Sequence, residues 1–125
     1  MYVIETPISP FQQNAPILVC EHTNEAIFID PGDEVEKLLE VAKKHKLIPK
    51  YIVLTHGHID HAGGTKKLAK ILNLDIIGPH KEDDFLIKLL KIQGDMYGIE
   101  AEPFSPSKWL KHKDILTFGK QKLEV

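Results

Sequence analysis

The sequence contains no arginine, only one cysteine and no long apolar run. Each of these features excludes some classes of function. All 16 basic residues are lysines, so the planar fork with which arginine clamps carboxylates and phosphates is missing. A substrate clamp must therefore use lysine, backbone or residues beyond this sequence.

Cys20 has no partner for an intrachain disulfide, which suits a reducing compartment and a buried structural thiol. No stretch is apolar enough to cross a bilayer, and the first residues do not resemble a secretory signal. We therefore predict a cytoplasmic protein with no membrane partner.

The charge balance shows only a slight excess of negative charge. A formal net charge of −2 with 27% charged residues describes an ordinary soluble surface. Because this surface has no excess of basic residues to bind phosphates, nucleic acid is not a favoured partner. The 125 residues, 42% of them hydrophobic, are enough for one core and too few for two. We expect a single domain over residues 1–125.

Potential metal ligands are concentrated in residues 55–64. The segment holds the histidines His56, His58 and His61 and the carboxylate of Asp60, between a short apolar run and paired glycines that open a helical pattern. In extended backbone, residues two apart point the same way, so His56 and His58 can converge on one ion while Asp60 and His61 address a second. Solvated histidines would repel one another when protonated, whereas a divalent cation binds their neutral forms. The cluster therefore predicts a site for zinc, iron or manganese.

The pattern His-x-His-x-Asp-His, after a strand and a threonine and before Gly-Gly and a helix, resembles the metal-binding signature of the metallo-β-lactamase superfamily. The closest likeness is to its glyoxalase II-like hydrolases. Two upstream segments agree: Asp30-Pro31-Gly32 resembles the family's aspartate element, and residues 9–14 resemble the opening loop of the glyoxalase II-like members. The resemblance thus extends over nearly the whole chain.

The resemblance implies an α/β fold, the αββα sandwich of this superfamily, with only its amino-terminal half present. It implies a hydrolase that cleaves a thioester, such as S-acylglutathione, or a related ester through a metal-bound hydroxide. The complete family site holds two zinc ions, with iron or manganese as other metals, and Asp60 would be the catalytic carboxylate that ligates and orients the hydroxide. Asp30 would hold a histidine tautomer or the motif loop without binding metal; alternatively, it is a turn carboxylate before Pro31.

The family's remaining ligands, two further histidines and a bridging aspartate, cannot be assigned in this sequence. His80 and His112 stand in Lys-rich surroundings and are expected to be surface residues. The chain alone is therefore expected to be inactive. The sheet face that the other half would cover is expected to be a broad exposed apolar patch, through which the chain would dimerise or aggregate. The competing hypothesis is a non-catalytic metal-binding half-domain or truncated remnant that self-associates.

Periodicity predicts the order of elements. A helix over residues 34–45 is expected to start with a capping box formed by Asp33 and Glu36. A third helix, at residues 82–92, carries an apolar stripe that indicates core or lid packing. The other predictions are strands at 2–6, 15–21, 25–30, 51–54 and 74–77, a second helix from residue 65, a loop over 93–107, and strands near Trp109, 115–116 and 123–125.

Overall fold

The computed structural model describes residues 1–5, 7–8, 13–57, 59–99 and 101–124, with only the backbone for residues 7, 8, 13, 14 and 60. The strands are β1 (Tyr2–Ile4), β2 (Pro7–Ile8), β3 (Gln13–Asn14), β4 (Ile17–Val19), β5 (Glu25–Ile29), β6 (Ile48–Val53), β7 (Asp75–Ile77), β8 (Ile115–Phe118) and β9 (Gln121–Glu124). The helices are α1 (Val35–Lys44), α2 (Ile59–Ala62), α3 (Thr65–Leu72), α4 (Asp84–Lys88) and α5 (Leu90–Tyr97), with a 3-10 turn at Lys81–Asp83. Of the predicted opening loop, residues 9–12 lie outside the described residues, as does His58 of the motif.

Five strands form one mixed sheet in the order β1-β4-β5-β6-β7. The first three pair antiparallel and lie within the predicted strand ranges, although each is shorter than predicted. The change to parallel pairing comes at β5 and β6, which α1 connects, and β7 continues it. A parallel pair needs such a crossover, and it brings the carboxyl ends of β5 and β6 to one edge of the sheet.

Helices α1 and α3 cover one face of this sheet. Side chains alternate along each strand, so Ile17 of β4, Phe28 of β5 and Ile52 of β6 all point toward the helices and are buried with Leu38 and Leu68. Burying such a large aliphatic or aromatic side chain contributes roughly 1.5–3 kcal/mol relative to leaving it exposed. This layer is the main core of the fold.

The amphipathic helix α1 was predicted correctly, but its start was not. Val35, Leu38 and Ala42 are buried, as the periodicity indicates. The expected capping box is wrong, because the cap residue is Glu34, which adopts φ 50° and makes no side-chain cap hydrogen bond. The chain turns through a left-handed residue at Glu34, so the side chain of Asp33 is not at the cap position.

The opposite face of the sheet is partly covered by the antiparallel β8–β9 hairpin. Leu116 and Phe118 of β8 pack with Ile27, Val53 and the fully buried Cys20. The burial of Cys20 confirms its expected structural position. The expectation of a broadly exposed face is wrong at its centre, where Ile27 is 0% and Val53 only 5% exposed, because the hairpin folds back over these strands.

The predicted third helix is split and longer than expected. The break lies at Leu89, which ends α4 and precedes α5, and α5 extends through residues expected to be a loop because it packs on α2. The break changes which residues of the apolar stripe are buried: Leu86 and Leu90 are in the core, whereas Phe85 is 61% and Leu89 40% exposed. Trp109 lies outside any strand. Among the described residues, no helix has the length and apolarity needed to span a membrane.

Candidate metal centre

The candidate centre lies at the carboxyl edge of the parallel strands β5 and β6. Asp30 directly follows β5, and its backbone N–H donates to the carbonyl oxygen of Val53, the last residue of β6. This register places Asp30 beside Thr55 and the first histidine of the motif, His56. Open α/β sheets bind ligands at this edge, because the loops that follow adjacent parallel strands meet there.

Asp30 is a buried carboxylate, 5% exposed, and among the described residues its side-chain hydrogen bonds are directed at the motif. Its Oδ1 accepts a hydrogen bond from the Thr55 backbone N–H at 2.8 Å, and its Oδ2 accepts from Thr55 Oγ1 at 2.6 Å. Oδ2 also lies 3.0 Å from Nδ1 of His61. A buried carboxylate needs such partners to offset its lost hydration. Its backbone adopts φ 49°, an uncommon conformation that aspartate tolerates better than most residues.

His56 and His61 come together although they lie on different elements. His56 is in the loop after β6, whereas His61 is in α2, and their ring centroids are 3.7 Å apart with an interplanar angle of 49°. Potential ligand atoms of these two histidines and Asp30 all lie within 4.8 Å of one another. Because a carboxylate only accepts, the contact with Asp30 places the His61 proton on Nδ1 and the lone pair on Nε2, the usual arrangement of a histidine that binds a metal.

Two of the predicted ligands, His58 and Asp60, have no described side chain. His58 lies outside the described residues, and the backbone of Asp60 is in α2 although its side chain is not described, so their roles as ligands stay predictions. His80 and His112 are exposed and do not belong to the group of candidate ligands. Two adjacent imidazoles with an oriented carboxylate fit a divalent cation such as zinc or iron, because these donors suit borderline-soft metals.

Helix α2 is held against the Asp30 turn by close contact between backbones. The backbone N–H of Gly64 donates to the carbonyl oxygen of Pro31 at 2.8 Å. A Cβ built on Gly63 would collide with the carbonyl oxygen of Gly32. Glycine at position 63 is therefore what lets the chain after α2 approach close enough for His61 to reach Asp30.

Sequence reasoning missed one residue that supports the motif loop. The carboxylate of Asp83, in the 3-10 turn, accepts a hydrogen bond from the backbone N–H of Gly57 at 3.1 Å. Gly57 is buried and adjoins His56, so this bond helps to fix the loop that carries this candidate ligand. The separation of 26 residues left no sequence signal for the contact.

A cavity of about 360 Å³ adjoins the site. Thr55 lies on its wall together with His80 and His112, and most of the remaining wall is apolar, including Leu110, Leu116 and Leu123. A small molecule with an apolar portion would therefore find room beside the candidate ligands.

The chain resembles known proteins over most of its length. The family model described as Metallo-beta-lactamase superfamily matches residues 8–125. The chain is 34% identical over 108 residues to hydroxyacylglutathione hydrolase GloC of Haemophilus influenzae, covering 86% of this chain and 50% of that protein. It is 32% identical over 99 residues to hydroxyacylglutathione hydrolase of Klebsiella pneumoniae, covering 78% of this chain and 39% of that protein. The chain thus spans half the length, or less, of these two curated relatives.

Solved structures show the same architecture. The BLEG-1 B3 metallo-beta-lactamase superposes with a TM-score of 0.82 at 25% identity, covering 98% of this chain and 59% of that one. TTHA1623 in a di-iron-bound form superposes with a TM-score of 0.80 at 32% identity, covering 91% of this chain and 57% of that one.

Proposed function

The chain belongs to the metallo-beta-lactamase superfamily, and from this premise we propose that it supplies the metal-binding part of a glyoxalase II-like hydrolase. The predicted fold class is confirmed, because its mixed sheet and helices match metallo-β-lactamase fold structures. We propose that residues 1–125 form a single, partial domain of this fold. The proposed activity is hydrolysis of a thioester such as an S-acylglutathione, or of a related ester.

The observation that carries this proposal is the convergence of His56, His61 and the buried Asp30 at one edge of the sheet. Two imidazoles this close would repel each other when protonated, whereas divalent cations bind their neutral forms. The hydroxyacylglutathione hydrolases among the relatives support the thioester class. The adjoining cavity supports a small-molecule substrate rather than a macromolecule.

Each residue of the candidate centre has its own proposed role. We propose that His56, His58, Asp60 and His61 hold the metal, while Asp30 keeps His61 in its ligand tautomer. A divalent metal held by these residues would lower the pKa of a bound water toward ~7 and would polarise the carbonyl under attack. Asp60 would be the catalytic carboxylate that orients this water. We propose zinc, with two ions in a complete site; the di-iron form of TTHA1623 supports iron as the alternative.

A second candidate function is a non-catalytic, self-associating metal-binding half-domain. The observation that favours it is the coverage of 39–50% of the two hydroxyacylglutathione hydrolases. Its dimer would form through the sheet face that the β8–β9 hairpin leaves partly uncovered. Under either function we propose a cytoplasmic location.

Metal binding is the first test. Elemental analysis and metal titration of the 125-residue protein should show that His56→Ala and His58→Ala each lose most of the bound metal. His112→Ala is the matched control, because His112 is exposed and outside the ligand group. Undiminished affinity in both motif variants would reject the site assignment.

Activity is the second test, with S-lactoylglutathione as substrate and zinc, iron or manganese added. The 125-residue protein should show no saturable turnover, because two imidazoles and an incomplete second site hold the ions too loosely for efficient catalysis. The longest protein encoded by the surrounding reading frame should be active and should lose activity in Asp60→Ala. Turnover by the 125-residue protein that disappears in Asp60→Ala would show instead that this part suffices. Light scattering measures the molar mass of the 125-residue protein in solution and therefore tests the proposed dimer.

A further inference from the structure

The hydroxyl of Thr55 and the carboxylate of Asp30 together connect His56 to His61. Thr55 Oγ1 lies 2.6 Å from Asp30 Oδ2 and 3.1 Å from His56 Nδ1. The same Asp30 Oδ2 lies 3.0 Å from His61 Nδ1. These contacts form a continuous path from one imidazole to the other.

The direction of each hydrogen bond follows from the number of protons that each group carries. A carboxylate accepts only, so the single proton of the Thr55 hydroxyl is directed to Asp30. Thr55 Oγ1 can then only accept from His56, which places the His56 proton on Nδ1 and its lone pair on Nε2. Asp30 therefore acts on His61 directly and on His56 through Thr55.

We propose that Thr55 is a positioning residue that fixes the ligand tautomer and ring orientation of His56. The proposal rests on the proposed function in taking His56 as a metal ligand. It gives one buried carboxylate control over two ligands, with the hydroxyl as the connecting group. Hydrogen-bond partners of ligating histidines commonly influence metal affinity by 10-fold or more, roughly.

A purely structural role for Thr55 makes a different prediction. Its backbone N–H also donates to Asp30 Oδ1 at 2.8 Å, and this bond alone would attach the loop to the Asp30 turn. Thr55→Val keeps the backbone bond and the side-chain shape but removes the hydroxyl. Any effect on His56 in this variant therefore comes from the hydroxyl.

The experiment compares wild type, Thr55→Val and Thr55→Ser in the metal-free, ¹⁵N-labelled 125-residue protein. Long-range ¹H–¹⁵N correlation spectra, recorded above the imidazole titration range, report which ring nitrogen of His56 carries the proton. We expect the Nδ1–H form in wild type and Thr55→Ser, and loss of that preference in Thr55→Val. Titration with Co²⁺ should give about 10-fold weaker binding in Thr55→Val and recovery in Thr55→Ser. Thr117→Val, on an exposed position of β8, is the control and should match wild type.

The outcomes separate this proposal from the proposed function. An unchanged His56 tautomer in Thr55→Val overturns the positioning role of Thr55, whereas an altered tautomer with unchanged Co²⁺ affinity overturns its expected effect on metal binding. If His56→Ala binds Co²⁺ as tightly as wild type, the metal assignment fails, while the spectra still decide whether the hydroxyl orients His56. Should Thr55→Val not fold, the comparison of Thr55→Ala with Thr55→Ser makes the same test.

Discussion

Replacing Gly63 with alanine is expected to destabilise the protein strongly, because the position has no room for a Cβ. A Cβ built there collides with the carbonyl oxygen of Gly32 and lies 2.8 Å from the carbonyl oxygen of Ile59 and 3.1 Å from its Cδ1. Two of these neighbours are backbone oxygens, which move only if whole chain segments move. Overpacking costs roughly 1–3 kcal/mol, and two backbone clashes place Gly63→Ala near the upper end, at about 3 kcal/mol.

The measurement is the free energy of unfolding of the metal-free protein, from urea denaturation followed by circular dichroism. Gly98→Ala is the control: a Cβ there meets nothing within 4 Å, but its φ of +71° is unfavourable for alanine, at a cost of roughly 1 kcal/mol. Only Gly63→Ala should also weaken Co²⁺ binding, because it moves α2 away from Asp30. A Gly63→Ala protein within ~0.5 kcal/mol of wild type would refute the close-packing argument.

Three further predictions follow from single contacts. Asp83→Ala leaves the buried N–H of Gly57 without its carboxylate, so it should cost roughly 1–2 kcal/mol and accelerate amide exchange at Gly57. Thr65 Oγ1 is buried without a hydrogen-bond partner among the described residues, so Thr65→Val should raise the free energy of unfolding by roughly 1 kcal/mol; a loss of stability would contradict this. The Lys120 backbone N–H is the main cause that lowers the pKa of the Cys20 thiol from 9.0 to about 6. Because the native thiol then ionises before the unfolded one, stability relative to Cys20→Ala should increase with pH between these two values; a constant difference would argue against it.

Local sequence patterns were sufficient for the family and for most of the elements, and they also gave the proposed cluster of ligands. The motif from His56 to His61 and the glycines after it form one continuous segment. The amphipathic pattern of α1 likewise lies within one segment. Such signals depend on neighbours a few residues apart, and chain geometry alone then determines which side chains share a face. The capping box at Asp33 and the continuous helix at residues 82–92 show how this reasoning fails where a single backbone torsion changes direction.

The resemblance assigned Asp30 to a histidine or to the motif loop, but only the tertiary structure decided which contacts support the site. Asp30 and His61 are 31 residues apart, as Gly57 and Asp83 are 26 apart, and no local pattern connects either pair. The parallel register of β5 and β6 brings Asp30 to Thr55, and the backbone approach at Gly63 brings His61 to Asp30. The β8–β9 hairpin, far along the chain, covers Ile27 and Val53. These contacts depend on packing between segments distant in sequence, whereas the periodicity of one segment reports only which of its own faces is apolar.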